Sequence, residues 1–137
     1  MNCLLHPPAR QRKAAVRPPD DSPAWQEEVR LAEDYWFRYP DVRNDGFWGK
    51  DSSLGIRGAR RHYQLYGRYE GRVFGPVFRP TDMEEEKELA EAYWRRYPDI
   101  AQDPVWGRQG SMGILGPRDH YHYYGRSQGR TWGKADR

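Results

Sequence analysis

Along residues 22–39 the large apolar side chains fall at helical intervals. Trp25, Val29, Ala32, Trp36 and Tyr39 are spaced by 4, 3, 4 and 3 residues and line one face of a helix. Ser22 is a good N-cap, Pro23 suits the first helical position, and Tyr39-Pro40 ends the run, because a residue before proline avoids the α conformation. A second stripe follows in Met83, Ala90, Trp94 and Tyr97, broken at Lys87. Thr81-Asp-Met-Glu84 reads as its capping box, and Tyr97-Pro98 as its end. After each Tyr-Pro a short helical turn can restart. Glycine-rich loops then run from Trp48 to Gly58 and from Trp106 to Gly116. Ala59, His62, Tyr63 and Tyr66 share a face at i, i+3, i+4 and i+7, which predicts a short helix over 59–66 with Gly67 as its left-handed stop. Its counterpart is expected over 117–124, with Gly125 as the stop. No run alternates in polarity over four or more residues, so no strand is expected.

The two halves are the same pattern written twice. Residues 25–75 align on 83–133 without a gap, and 27 of the 51 aligned positions are identical. Glu33-Asp-Tyr-Trp-Phe-Arg-Tyr-Pro-Asp41 returns as Glu91-Ala-Tyr-Trp-Arg-Arg-Tyr-Pro-Asp99. His62-Tyr63 returns as His120-Tyr121, and Tyr66-Gly67-Arg68 as Tyr124-Gly125-Arg126. A shared period of this length marks two copies of one supersecondary unit. The expected fold is therefore all-α, with two tandem helix–loop–helix repeats and an extended N-terminal tail. Its parts are the tail at 1–22, a first repeat with its linker at 23–80 and a second repeat at 81–137. Residues at matching places on the apolar stripes, Trp36, Trp94, His62, His120, Tyr63 and Tyr121, are expected in the core. A glycine pattern held in common predicts common turns, so residues 25–75 and 83–133 are expected to share one backbone.

Composition narrows the function classes. Aromatic residues make up 15% of the chain and the mean hydropathy is −1.14, so the core is aromatic and thin. A unit of about 50 residues buries too little surface to stand easily alone, which points to packing on its twin or on a partner. The single cysteine, Cys3, excludes an intrachain disulfide and a cysteine-built zinc site. No apolar run reaches the ~20 residues that cross a bilayer. The net charge of +3 comes from 23 basic and 20 acidic residues, interspersed rather than gathered on one stretch, which disfavours nucleic acid as the partner.

Several residue sets invite chemistry. His62 and His120, with Asp41, Asp45, Asp99 and Asp103, could ligate a metal. A stable site needs three or four converging ligands, and one histidine per copy more readily gives a buried ring bonded to backbone or carboxylate. The same aspartates could act as an acid–base pair, but their four-residue spacing at a helix start fits capping better. No glycine spacing matches a phosphate-binding loop. Arg38/Arg96, Arg60/Arg118, Arg68/Arg126 and Arg72/Arg130 stand at fixed places in both copies. They could staple loops to helices through bidentate pairs with Asp41 or Asp99, or bind phosphate or an acidic partner. Phe37, Tyr69, Phe74, Tyr123 and Trp132 lie off the stripes, where they could stack on sugars or bases or anchor a protein contact. No catalytic residue, cofactor or metal ligand is assigned.

Residues 1–22 hold four prolines and the cations Arg10, Arg12, Lys13 and Arg17 ahead of any acid. This composition suits an organellar targeting peptide or a flexible tail. It also suits an arm laid across other protein chains, with Leu4 and Leu5 as apolar anchors and the four cations meeting acidic groups or lipid headgroups. Fixing such a segment costs about 1–2 kcal/mol per residue in backbone entropy, which contacts outside the segment must offset.

The spacing of Tyr39-Pro40-Asp41-Val42, His62-Tyr63, Gly67 and Glu70-Gly71-Arg72 resembles short tandem repeats of the form Tyr-Pro-Asp-Val … His-Tyr … Gly … Glu-Gly-Arg. Such repeats occur in bacterial proteins, often beside other domains, and in microalgal proteins such as those of dinoflagellates. The second copy departs from the pattern with Ile100 for valine and Gln128 for glutamate. The resemblance covers most of residues 25–133 and implies a helical repeat without established chemistry. The reading that follows is a non-enzymatic accessory subunit bridging neighbours in a larger assembly, with other protein subunits as partners and only peripheral membrane contact. Its partner-binding residues are Leu4, Leu5, Arg10, Arg12, Lys13, Arg17, Phe74 and Trp132. The microalgal resemblance points to an organellar membrane complex, photosynthetic or respiratory, in the chloroplast thylakoid or the mitochondrion. A sugar- or envelope-binding module and a nucleic-acid binder stand as alternatives.

Overall fold

The side chain of Ser22 accepts the backbone N–H of Trp25 at 3.0 Å and opens helix α1, Pro23–Arg38, with proline in the first turn as the sequence requires. The structure is a computed structural model that describes Leu5 and residues 22–134. Within these the chain is all-α: six α-helices and short 3₁₀ and π turns, with no strand among the described residues. No helix there is long and apolar enough to cross a membrane. The chain divides into two units, Met1–Pro76 and Val77–Arg137.

In the first unit, α1 buries Trp25, Ala32, Tyr35 and Trp36. The expected stripe holds at these tryptophans, whereas Val29 is only half-buried and Tyr35 takes a central place. Tyr39 leaves the helix at φ −125°, and Pro40 restarts the chain as α2, Pro40–Arg43. A loop leads to α3, Arg57–Leu65, and a 3₁₀ turn, Gly67–Glu70, follows it. The chain reverses at Gly71, where φ is +77°, and returns beneath α1 through Val73 to Gly75. Arg38, fully buried, donates to the Gly75 carbonyl at 2.7 Å and closes the unit.

The second unit runs through α4, Met83–Arg96, α5, Pro98–Ala101, a 3₁₀ turn, Gly113–Leu115, and α6, Gly116–His120. A π turn, Tyr121–Gly125, and a 3₁₀ turn, Arg126–Gln128, continue α6. Several joints of the first unit recur 58 positions on. Tyr97 leaves α4 at φ −127°, Gly113 matches Gly55 at φ +59°, and Gly129 reverses the chain at +80° as Gly71 does at +77°. Arg96 donates to the carbonyls of Gly133 and Lys134 at 3.0 and 2.7 Å.

Four expectations need correction. The cap of α4 is Asp82, whose carboxylate accepts the Glu85 N–H at 3.0 Å, and not Thr81. Met83, placed on the apolar stripe, is 44% exposed; the buried face runs instead through Glu86, Leu89, Ala90, Tyr93 and Trp94. The helix after the second loop is shorter than 117–124, because the chain widens into the π turn at Tyr121. Gly67 and Gly125 are not left-handed stops: the positive-φ stops lie four residues later, at Gly71 and Gly129.

Candidate functional site

What Gly67 and Gly125 do instead leads to the centre of each unit. A methyl group on Gly67 would lie 2.2 Å from the Tyr35 hydroxyl, and one on Gly125 would lie 2.3 Å from that of Tyr93. Glycine is needed there because a buried tyrosine hydroxyl rests against the backbone. That hydroxyl shares a 2.8 Å hydrogen bond with Nδ1 of a buried histidine, Tyr35 with His62 and Tyr93 with His120. Trp48 and Trp106 pack edge-on against the histidines, with ring centroids 5.4 and 4.8 Å away. Tyr39 and Tyr97 lie 5.0 and 4.9 Å from the two central tyrosines.

Burial sets the protonation of this centre. It pushes the His120 imidazole below its ordinary range, helped by the Arg130 charge, so the ring is neutral at physiological pH. Burial likewise raises the Tyr93 hydroxyl above its ordinary value. In the second unit the two partners are thus both neutral and buried. Among the described residues no group of three or more His, Cys, Asp or Glu converges as metal ligands do. The Nδ1 of each histidine is paired with a tyrosine hydroxyl. Trp36, Trp94, His62 and His120 are buried as expected, while Tyr63 and Tyr121 are half-buried.

The aspartates nominated for metal or acid–base work serve local structure. Asp45 accepts the N–H groups of Phe47 and Trp48, both at 2.9 Å, and Asp103 accepts those of Val105 and Trp106. Both side chains turn the chain into its loop. Asp41 and Asp99 each receive a two-pronged bond, from Arg72 and from Arg130, with the shorter contact 2.8 Å in both. The Arg130 guanidinium holds the Asp99 carboxyl below its usual range. These pairs tie the closing glycine turn to the Pro-Asp helix start.

A second arginine in each unit makes a layered site on α1 or α4. Arg60 grips Glu28 through Nε and Nη2 at 2.7 and 2.8 Å, and its guanidinium lies 4.7 Å from the ring of Phe74. Arg118 grips Glu86 at 2.8 and 2.9 Å and lies 5.0 Å from Trp132. Phe74 and Trp132, nominated as partner anchors, are half-buried and stack on Tyr63 and Tyr121 at interplanar angles of 29° and 30°. They thus form part of their own unit's packing, with an arginine laid over the ring. Beside Arg60, a cleft of about 210 Å³ opens between Ala24, Trp25, Glu28 and Arg57.

Of the nominated tail residues, Leu4, Arg10, Arg12, Lys13 and Arg17 lie outside the described residues. Leu5 is 53% exposed, and its backbone carbonyl accepts the indole N–H of Trp48 at 2.9 Å. Residues that the sequence reading passed over are Tyr35, Tyr93, Glu28 and Glu86. Two of them could have been found: Glu28 and Glu86 recur at matching places 32 residues ahead of Arg60 and Arg118.

No family model, no curated protein and no solved structure matches this chain.

Proposed function

We propose that this chain is a non-enzymatic accessory subunit that joins neighbouring proteins in a larger assembly. The observation that carries the reading is the use made of its polar residues. The side chains that recur in both halves and would be first choices for chemistry are committed to internal bonds: Tyr35 with His62, Arg60 with Glu28, Arg72 with Asp41, and their counterparts. The surface also exposes large apolar side chains, with Tyr69 72%, Phe78 56% and Leu65 39% exposed. Units of this size gain stability from a partner that covers such residues.

Leu5 accepts a bond from Trp48 of its own unit through its carbonyl, and the exposed apolar residues of the units offer a bridging surface beside the tail. The resemblance to microalgal repeats supports one specific form of the proposal, a peripheral subunit of an organellar membrane complex of photosynthesis or respiration. The test is the native particle. Tagged chain purified gently from its own cell is expected in a particle of fixed composition, many times the 16.2 kDa of the chain. Sedimentation as a free monomer under the same conditions contradicts the proposal.

A further inference from the structure

Within the aligned segments arginine stands at four matching places, and at three of them it is committed inside the fold. Arg38 and Arg96 donate to backbone carbonyls, Arg60 and Arg118 grip Glu28 and Glu86, and Arg72 and Arg130 grip Asp41 and Asp99. At the fourth place, Arg68 and Arg126 are exposed, and neither guanidinium meets a carboxylate or a backbone carbonyl among the described residues. Each lies beside a tyrosine instead. Arg68 donates to the Tyr69 hydroxyl at 2.6 Å with its guanidinium 4.8 Å from that ring, and Arg126 lies 5.6 Å from the ring of Tyr121. The surroundings then diverge. In the first unit Leu65, the last residue of α3, is 39% exposed, and Tyr69, on the 3₁₀ turn that follows, is 72% exposed. In the second unit their places are taken by Tyr123, half-buried, and Ser127, whose hydroxyl donates to the Tyr124 carbonyl at 2.9 Å.

We propose that Leu65, Arg68 and Tyr69 form the docking surface for an acidic segment of a partner protein, which sets a carboxylate on Arg68 and an apolar side chain against Leu65 and Tyr69. The bond to Tyr69 uses one donor of the guanidinium, and the remaining N–H groups can take a carboxylate as Arg60 and Arg72 do within the unit. The same bond holds the tyrosine ring before a partner arrives, which lowers the ordering cost of binding. The neighbouring Glu70 does not compete, since Arg72 engages it at 3.1 Å. Tyrosine and arginine are preferred anchors of protein contacts. One cation with apolar neighbours fits a protein segment better than a nucleic acid or an anionic membrane, which several cations grip at once. The inference rests on the assembly reading and names the chemistry of one of its contacts.

The test is photo-cross-linking in the native particle, with p-benzoylphenylalanine in place of Gln64, which is exposed, adjoins Leu65 and leaves the three docking residues intact. A cross-link to one protein is expected, mapping by mass spectrometry to a segment where an aspartate or glutamate stands next to an apolar side chain. Arg68→Gln should lower its yield about tenfold, and Arg126→Gln should leave it unchanged. Tyr69→Ser should lower it as well, and because it copies Ser127 of the second unit the turn accommodates it. Four results overturn the proposal: no cross-link in the intact particle, a cross-link confined to lipid or nucleic acid, one mapping to a segment without carboxylates, or a yield that Arg68→Gln leaves untouched. In each of these the particle persists, and with it the assembly reading; a chain that sediments as a free monomer removes both.

Discussion

The two units make the same bonds from the same residues, and they part company where each has to finish itself. Trp106 directs its indole N–H to the Asp119 carboxylate at 3.3 Å, inside its own unit. At the matching place the first unit carries Arg61, which has no oxygen to offer, and Trp48 donates instead to the carbonyl of Leu5, 43 residues away in sequence. Trp94 donates to the Trp106 carbonyl at 2.8 Å, while among the described residues the Nε1 of Trp36 is buried without a hydrogen-bond partner. The second unit thus closes both indole bonds within itself, whereas the first draws on Leu5, outside the repeat, for that of Trp48. The common part is tyrosine to histidine against glycine.

The largest effects should strike both units alike. Trp36→Ala and Trp94→Ala each remove a buried indole and are expected to cost about 3–5 kcal/mol in chemical denaturation. Trp94→Ala should fall at the upper end, because it also leaves a buried carbonyl unpaired. A melt of either variant matching that of the parent would show that the tryptophan is not core.

Smaller, and more specific to the shared centre, are Gly67→Ala and Gly125→Ala. Each methyl must displace a tyrosine hydroxyl, at an expected cost of about 1–3 kcal/mol. Had these glycines served only as left-handed stops, alanine would leave the tyrosine–histidine bond intact, so the tyrosine ring signals distinguish the two roles.

Acidity should act on the second unit's centre through His120. Its folded pKa lies below 6.5, so the unfolded chain takes up the proton first. The stability due to the neutral ring is complete above pH 6.5 and declines as pH falls below it, through the folded value. Denaturation followed across pH 7 to 4.5 should show this loss, and His120→Gln should flatten it.

The smallest effects belong to the exposed staples. Arg72→Gln and Arg130→Gln should each cost only about 0.2–1 kcal/mol, since Asp41 and Asp99 are well exposed, and less at high salt.

Much of this architecture was legible from local rules. The Tyr-Pro ends of α1 and α4, the Ser22 cap and the restarted turns at Pro40 and Pro98 follow from proline and capping chemistry acting over a few residues. The arginine staples were readable because their positions recur. The tyrosine–histidine centre was not, since Tyr35 and His62 meet across 27 residues and tyrosine beside tryptophan leaves a helical wheel ambiguous. Gly67 misled for a related reason. A glycine after a helix usually supplies a positive φ, and here a side chain from another helix forbids a Cβ. Buried Arg38 was equally hidden, because its carbonyl partners arrive from residues 75 and 76.

The central claim is that each unit is organised by a buried tyrosine–histidine bond. A pair of double-mutant cycles tests it most directly, combining Tyr35→Phe with His62→Leu, and Tyr93→Phe with His120→Leu, by equilibrium denaturation of the full chain. The account predicts a coupling of about 1–2 kcal/mol in each cycle, similar in the two units. Additive single effects in either cycle would contradict it.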